Sequence, residues 1–66
     1  MRITINGRSE KISGVLNLSE IVTKKGFCAD NIVIEHNKLI VPRSGWDKVI
    51  INENDMIEIV SFVAGG

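Results

Sequence analysis

The chain has 66 residues, which limits it to one hydrophobic core, since a domain of this size buries only about 60% of the surface its unfolded form exposes. Hydrophobic residues make up 44% of it, against a disordered chain, and eight basic residues balance eight acidic ones without a block of either sign, against a nucleic-acid binder. Cys28 is the single cysteine, so an internal disulfide and a four-thiolate metal site are excluded. The opening Met1-Arg2-Ile3-Thr4-Ile5 run lacks the apolar core of a signal peptide, and no apolar stretch approaches the ~20 residues of a membrane span. A soluble, cytoplasmic protein that binds neither nucleic acid nor membrane is expected.

Arg2-Ile3-Thr4-Ile5 alternates with period two and ends at Asn6-Gly7, the strongest short hairpin signal, because both residues tolerate the positive φ of a type I′ turn. Residues 8–12 form the expected returning strand. Asn17-Leu18-Ser19-Glu20 then reads as a capping box, with Asn17 as N-cap and Glu20 three residues on. Leu18, Ile21 and Val22 share one face, Lys24 and Lys25 suit the negative end of the helix dipole, and Gly26 suits a left-handed end with Phe27 as its apolar contact. A helix of two to three turns cannot stand alone in water and needs a sheet to lie on.

Ile32 to His36 is strand-like, and Asn37-Lys38 turns the chain back into Leu39-Ile40-Val41, which Pro42 stops. Ser44 to Asp47 reads as a turn or 3₁₀ piece, Lys48 to Ile51 as a brief extended segment, and Asn52 to Asp55 as a polar turn. Met56 to Val63 is the longest strand candidate. Strands before and after one helix predict an α+β fold, a β-grasp of the ubiquitin-like kind. Its mixed sheet of four to five strands, with the helix packed on one face, would occupy residues 1–63, leaving 64–66 as a flexible diglycine tail.

Along the last strand Ile57 and Ile59 are expected to face the helix. Met56, Glu58, Val60 and Phe62 then lie on the open side of the sheet. Neighbouring exposed apolar residues mark a candidate partner surface of Val60 and Phe62, with Glu58 between the strand's apolar positions and Arg43 as a further candidate contact. The alternative is that loops, Trp46 among them, cover both apolar residues. After Val63 come Ala64, Gly65 and Gly66. Two terminal glycines arise by chance in about 0.5% of chains, so the pair merits a functional reading. Glycine lacks Cβ, so such a tail enters channels too narrow for side chains, and three extended residues carry the Gly66 carboxylate about 10 Å beyond the domain.

The run Leu39-Ile40-Val41-Pro42-Arg43-Ser44-Gly45-Trp46 resembles the Val-Pro-Arg…Trp signature of the thiamine-biosynthesis sulfur carriers, and residues 55–66 resemble their last strand and tail. Asn6-Gly7, the single helix and the length also match. The resemblance implies a carrier rather than an enzyme. An E1-like adenylating enzyme would join the Gly66 carboxylate to AMP, a cysteine desulfurase or sulfur relay protein would supply sulfur to make a thiocarboxylate, and thiazole synthase would consume it. ATP and magnesium then belong to the adenylating partner, and the chain itself binds no cofactor or metal. Rival readings are the molybdopterin-synthase small subunit, a conjugating ubiquitin-like modifier, and a plain β-grasp binding module. The relatives commonly place Gly-Asp where this chain has Asn54-Asp55, and Asn-Gly where it has Asn37-Lys38. They also have an apolar residue where it has His36.

Other chemistry-bearing residues read as structural. His36 is expected at a strand end with an exposed ring edge, and Cys28 as a small, half-buried residue. Glu53 and Asp55 are expected to be solvated turn residues, and Trp46 to anchor the loop after Pro42 to the core.

Overall fold

The computed structural model describes residues 1–14 and 16–62; Val15 and residues 63–66 fall outside the description. Strands β1 (Arg2–Ile5) and β2 (Arg8–Lys11) are followed by helix α1 (Leu18–Lys25) and a 3₁₀ turn (Ala29–Asn31). Strands β3 (Ile32–His36) and β4 (Leu39–Val41), a second 3₁₀ stretch (Arg43–Lys48) and strand β5 (Met56–Ser61) complete the order. They build a five-stranded mixed sheet in the order β2-β1-β5-β3-β4, in which β1 and β5 are parallel and the other pairs antiparallel. This is the expected β-grasp.

Local chemistry explains each element. Asn6 and Gly7 both take positive φ (51° and 80°), which matches the twist of the β1–β2 hairpin. The pairing β1–β2 ends at Arg2 opposite Lys11, one residue short of the expected Ile12, although the Ile12 amide still donates to the Met1 carbonyl at 2.8 Å. At α1 the capping box closes in both directions: the Glu20 amide donates to Asn17 Oδ1 at 2.8 Å, and the Asn17 amide donates to Glu20 Oε1 at 3.0 Å. At the other end Gly26 is left-handed at φ 76°. Its amide donates to the Thr23 carbonyl and the Phe27 amide to the Val22 carbonyl, a Schellman closure that satisfies two terminal carbonyls.

The core lies between α1 and one face of the sheet. Ile3 and Ile5 from β1, Ile32 and Ile34 from β3, and Ile57 and Ile59 from β5 meet Leu18, Ile21 and Val22 of α1, with Ile51 and Trp46 closing the side. Alternation decides this: Ile3 and Ile5 of β1 and Ile57 and Ile59 of β5 are buried while the residues between them are not, so a one-residue slip would turn each isoleucine to solvent. The Trp46 ring is only 4% exposed, and its indole N–H donates to the Val41 carbonyl at 2.9 Å. It therefore anchors the loop after Pro42 to the α1 side of the core and does not cover Val60 or Phe62. Among the described residues, no helix is long and apolar enough to cross a membrane.

Candidate functional site

Strand β5 holds the outgoing end of the chain, and two asparagines fix it. Beyond Ile5 the first strand turns away, which would leave the β5 backbone unpaired on that side. Asn6 fills the gap: the Ile59 amide donates to its Oδ1 at 2.7 Å, and its Nδ2 donates to the Ile59 carbonyl at 3.2 Å. Asn37, first residue of the β3–β4 turn, acts similarly near the start of β5. The Met56 amide donates to its Oδ1, and its own amide donates to the Met56 carbonyl, both at 2.8 Å. Both residues are left-handed, at φ 51° and 50°. Asparagine suits the positions twice over, tolerating that φ and offering donor and acceptor on one side chain.

The open face of β5 is as the alternation predicts. Val60 is 56% exposed and Phe62 46%, with Met56 and Glu58 also exposed, while Ile57 and Ile59 are buried. Register widens the patch beyond the residues expected from sequence: Val33 of β3 lies opposite Val60, and Ile40 of β4 lies opposite Glu35, both apolar residues exposed. The signal was present in the Val33-Ile34-Glu35 alternation but needed the pairing to be read. Phe62 follows the strand, its amide donating to the Asn31 carbonyl at 2.8 Å. Gly66, Gly65 and Ala64 lie outside the described residues.

Arg43 is 62% exposed on its side chain and forms an ion pair with Asp30. It lines a hollow with Ser19, Val22 and Trp46, so it sits beside α1 rather than among Val60, Phe62 and Glu58. Through Asp30 and Asn31 it nevertheless stands at the end of the sheet where the chain leaves β5. Cys28 is exposed, not half-buried as expected, because it lies in the link between the helix end and the first 3₁₀ turn, away from the core.

The turn before β5 departs most from expectation. Asp55 is 7% exposed rather than solvated. Its Oδ2 accepts from the Asn52 amide at 2.8 Å and lies 2.7 Å from His36 Nε2, while Oδ1 accepts from Asn37 Nδ2 at 3.2 Å. Burial pushes the Asp55 carboxyl upward, but the hydrogen bonds from Asn52, His36 and Asn37, with the His36 charge, outweigh it and hold the group below the ordinary carboxylate value. His36 is correspondingly half-buried, its ring turned to Asp55 instead of water. Among the described residues no cluster of three or more His, Cys, Asp or Glu is arranged to hold a metal ion.

The arrangement offers no nucleophile–base pair among the described residues. It offers an apolar sheet face on the strand that leads to the terminal residues. A small β-grasp domain with that face is ubiquitin-like in architecture. The sequence model of the ThiS family matches residues 3–66, and the chain belongs to that family of thiamine-biosynthesis sulfur carriers. The crystal structure of thiamine biosynthesis protein ThiS from Geobacter metallireducens superposes with a TM-score of 0.87 over 100% of both chains at 26% identity. The protein ycf40 of Trieres chinensis is 36% identical over 62 residues, 94% of this chain and 85% of that one. A thiazole synthase of Paramagnetospirillum magneticum is 32% identical over 66 residues, all of this chain but only 20% of the synthase.

Proposed function

We propose that this chain carries sulfur for thiazole formation on the carboxyl carbon of Gly66. The observation that carries the reading is the exposed apolar face of β5, a docking surface on the strand that runs into Ala64-Gly65-Gly66. Family membership through residue 66 and the likeness to one-fifth of a thiazole synthase support it. A carboxylate is a poor electrophile. In the proposed sequence the Gly66 carboxylate attacks ATP on an E1-like adenylating enzyme and displaces pyrophosphate, giving an acyl-adenylate. A persulfide formed from cysteine on a desulfurase or relay protein then attacks the carbonyl carbon, and AMP departs with one of the two original carboxylate oxygens. A thiol reductant cleaves the resulting acyl disulfide, itself being oxidised to a disulfide, to free the sulfur on the carrier. The product, a thiocarboxylate, is ionised at neutral pH and, like a thiolate, a soft nucleophile suited to delivering sulfur to thiazole synthase.

In this division of labour ATP and magnesium are bound by the adenylating partner, in the cytoplasm, and the carrier is a co-substrate. Val60, Phe62 and Glu58 meet the partners, and Arg43 contributes at the end of the sheet. The test is intact-mass analysis after incubation with an adenylating enzyme, ATP and a sulfur donor. The expected result is one oxygen exchanged for one sulfur at the C-terminus, lost on deleting Gly66 without a change in melting temperature. An unchanged mass, or normal activation of the truncated chain, would refute the proposal. Covalent attachment to lysines in a lysate would point to a conjugating modifier instead.

A further inference from the structure

Asn6-Gly7 carries a reactivity beyond its part in the β1–β2 turn. It is the only asparagine–glycine pair in the chain; the other asparagines precede Leu18, Ile32, Lys38, Glu53 and Asp55. In such a pair the backbone nitrogen after the asparagine can attack the side-chain carboxamide carbon. A glycine there, having no Cβ, leaves that approach unobstructed. Both residues are exposed, so burial does not keep water from the pair. Hydrogen bonding holds the carboxamide instead. Asn6 Oδ1 accepts from the Ile59 amide at 2.7 Å, and Nδ2, the nitrogen that would leave, donates to the Ile59 carbonyl at 3.2 Å. The fold thus commits the amide plane to β5, and turning it onto the Gly7 nitrogen breaks both bonds.

We propose that Asn6 is a modification site gated by folding, closed while it clamps β5 and open to deamidation when the clamp is lost. The step needs only water. The Gly7 nitrogen forms a bond to Asn6 Cγ and gives up its proton, the Cγ–Nδ2 bond breaks, and ammonia leaves, closing a succinimide ring. Water then adds to one of the ring carbonyls. Attack at Cγ restores the peptide link and leaves aspartate; attack at the main-chain carbonyl leaves an isoaspartyl link that runs through the side chain. Nothing is oxidised or reduced. Neither product clamps β5 as asparagine does. Aspartate has no donor, so its second oxygen faces the Ile59 carbonyl oxygen, acceptor against acceptor. The isoaspartyl link lengthens the hairpin by one backbone carbon and disturbs a turn built on φ values of 51° and 80°. Ile59 is the last core residue of β5. A copy that stays open long enough to react therefore refolds with that strand unclamped, and the lost ammonia makes the change one-way. Asn6 records the chain's time in the open state, whether or not the chain carries sulfur.

The experiment incubates the full chain at neutral pH, in buffer and in guanidinium chloride above its unfolding midpoint, with peptide mapping and ammonia release followed over time. In denaturant, deamidation is expected at Asn6 before any other asparagine, at least about tenfold faster than in the folded chain. Below the midpoint its rate should rise with the fraction of chain open. Gly7→Ala, compared in denaturant so that its own fold plays no part, should slow the reaction about tenfold or more, since a Cβ crowds the attacking nitrogen. Asn6→Asp, which reproduces one product, should melt at least about 4 °C below the parent in buffer. Equal rates in folded and unfolded chains overturn the gate. So does earlier reaction at another asparagine, an unchanged rate in Gly7→Ala, or a parent-like melting temperature for Asn6→Asp.

Discussion

Asp55→Asn tests how the turn before β5 is held. The substitution keeps shape and volume but replaces one acceptor oxygen with an amide donor. Oδ2 serves the Asn52 amide and His36, and Oδ1 serves Asn37 Nδ2. If the new amide oxygen takes the Oδ2 position, its nitrogen faces the Asn37 nitrogen, donor against donor; the reverse orientation loses two contacts. At least one hydrogen bond to a charged group is lost, and a buried donor is left unpaired, so the expected cost at neutral pH is about 1.5–3 kcal/mol. The pH dependence has a definite sign. The native Asp55 carboxyl is held below its ordinary value, so its contribution is fully present above the unfolded pKa of about 3.9 and fades as pH falls through the lower native value. Urea unfolding of both proteins, stepped from neutral to acid, should therefore show a stability gap that closes at the acid end. A gap below about 0.5 kcal/mol at neutral pH, or one that stays constant into acid, would refute the account.

Three further outcomes are expected. Val60→Ser with Phe62→Ser should lower stability by less than about 1 kcal/mol, since both are exposed, while weakening capture by the adenylating enzyme about tenfold or more; the opposite pattern would mean that they serve the core. Asn6→Gly keeps a residue suited to the left-handed turn but removes the clamp on Ile59, and thermal unfolding should report a loss of about 1–3 kcal/mol. Lys38→Gly removes a β-carbon from a position at φ 73° and should raise stability by about 0.5–1 kcal/mol in the same assay.

Features decided within a few residues were legible in the sequence. Asn6-Gly7 specifies its turn, Asn17 and Glu20 their capping box, and Gly26 its left-handed helix end, because each depends on neighbours along the chain. The faces of β5 follow from alternation alone, which is why Val60 and Phe62 could be set on the open side. What was hidden depends on residues that meet only in the fold. An aspartate in a polar turn reads as solvated; Asp55 is buried because His36 and Asn37 reach it from 19 and 18 positions away. The clamps on β5 are likewise long-range, Asn6 reaching Ile59 across 53 positions. Cys28 read as half-buried because thiols usually are, whereas the helix end points it outward. Glu35 gave no hint of its opposite number until register put Glu58 across from it.

Strand β5 sits in the middle of the sheet although it is the last to be made, flanked by β1 from the start of the chain and β3 from its centre. During synthesis, the hairpin and helix must wait for residues 56–61 before Ile57 and Ile59 can seal the interior. A half-finished copy therefore lacks the assembled open face of the sheet. Completion of the fold and assembly of the exposed face that holds Val33 and Val60 are thus one event.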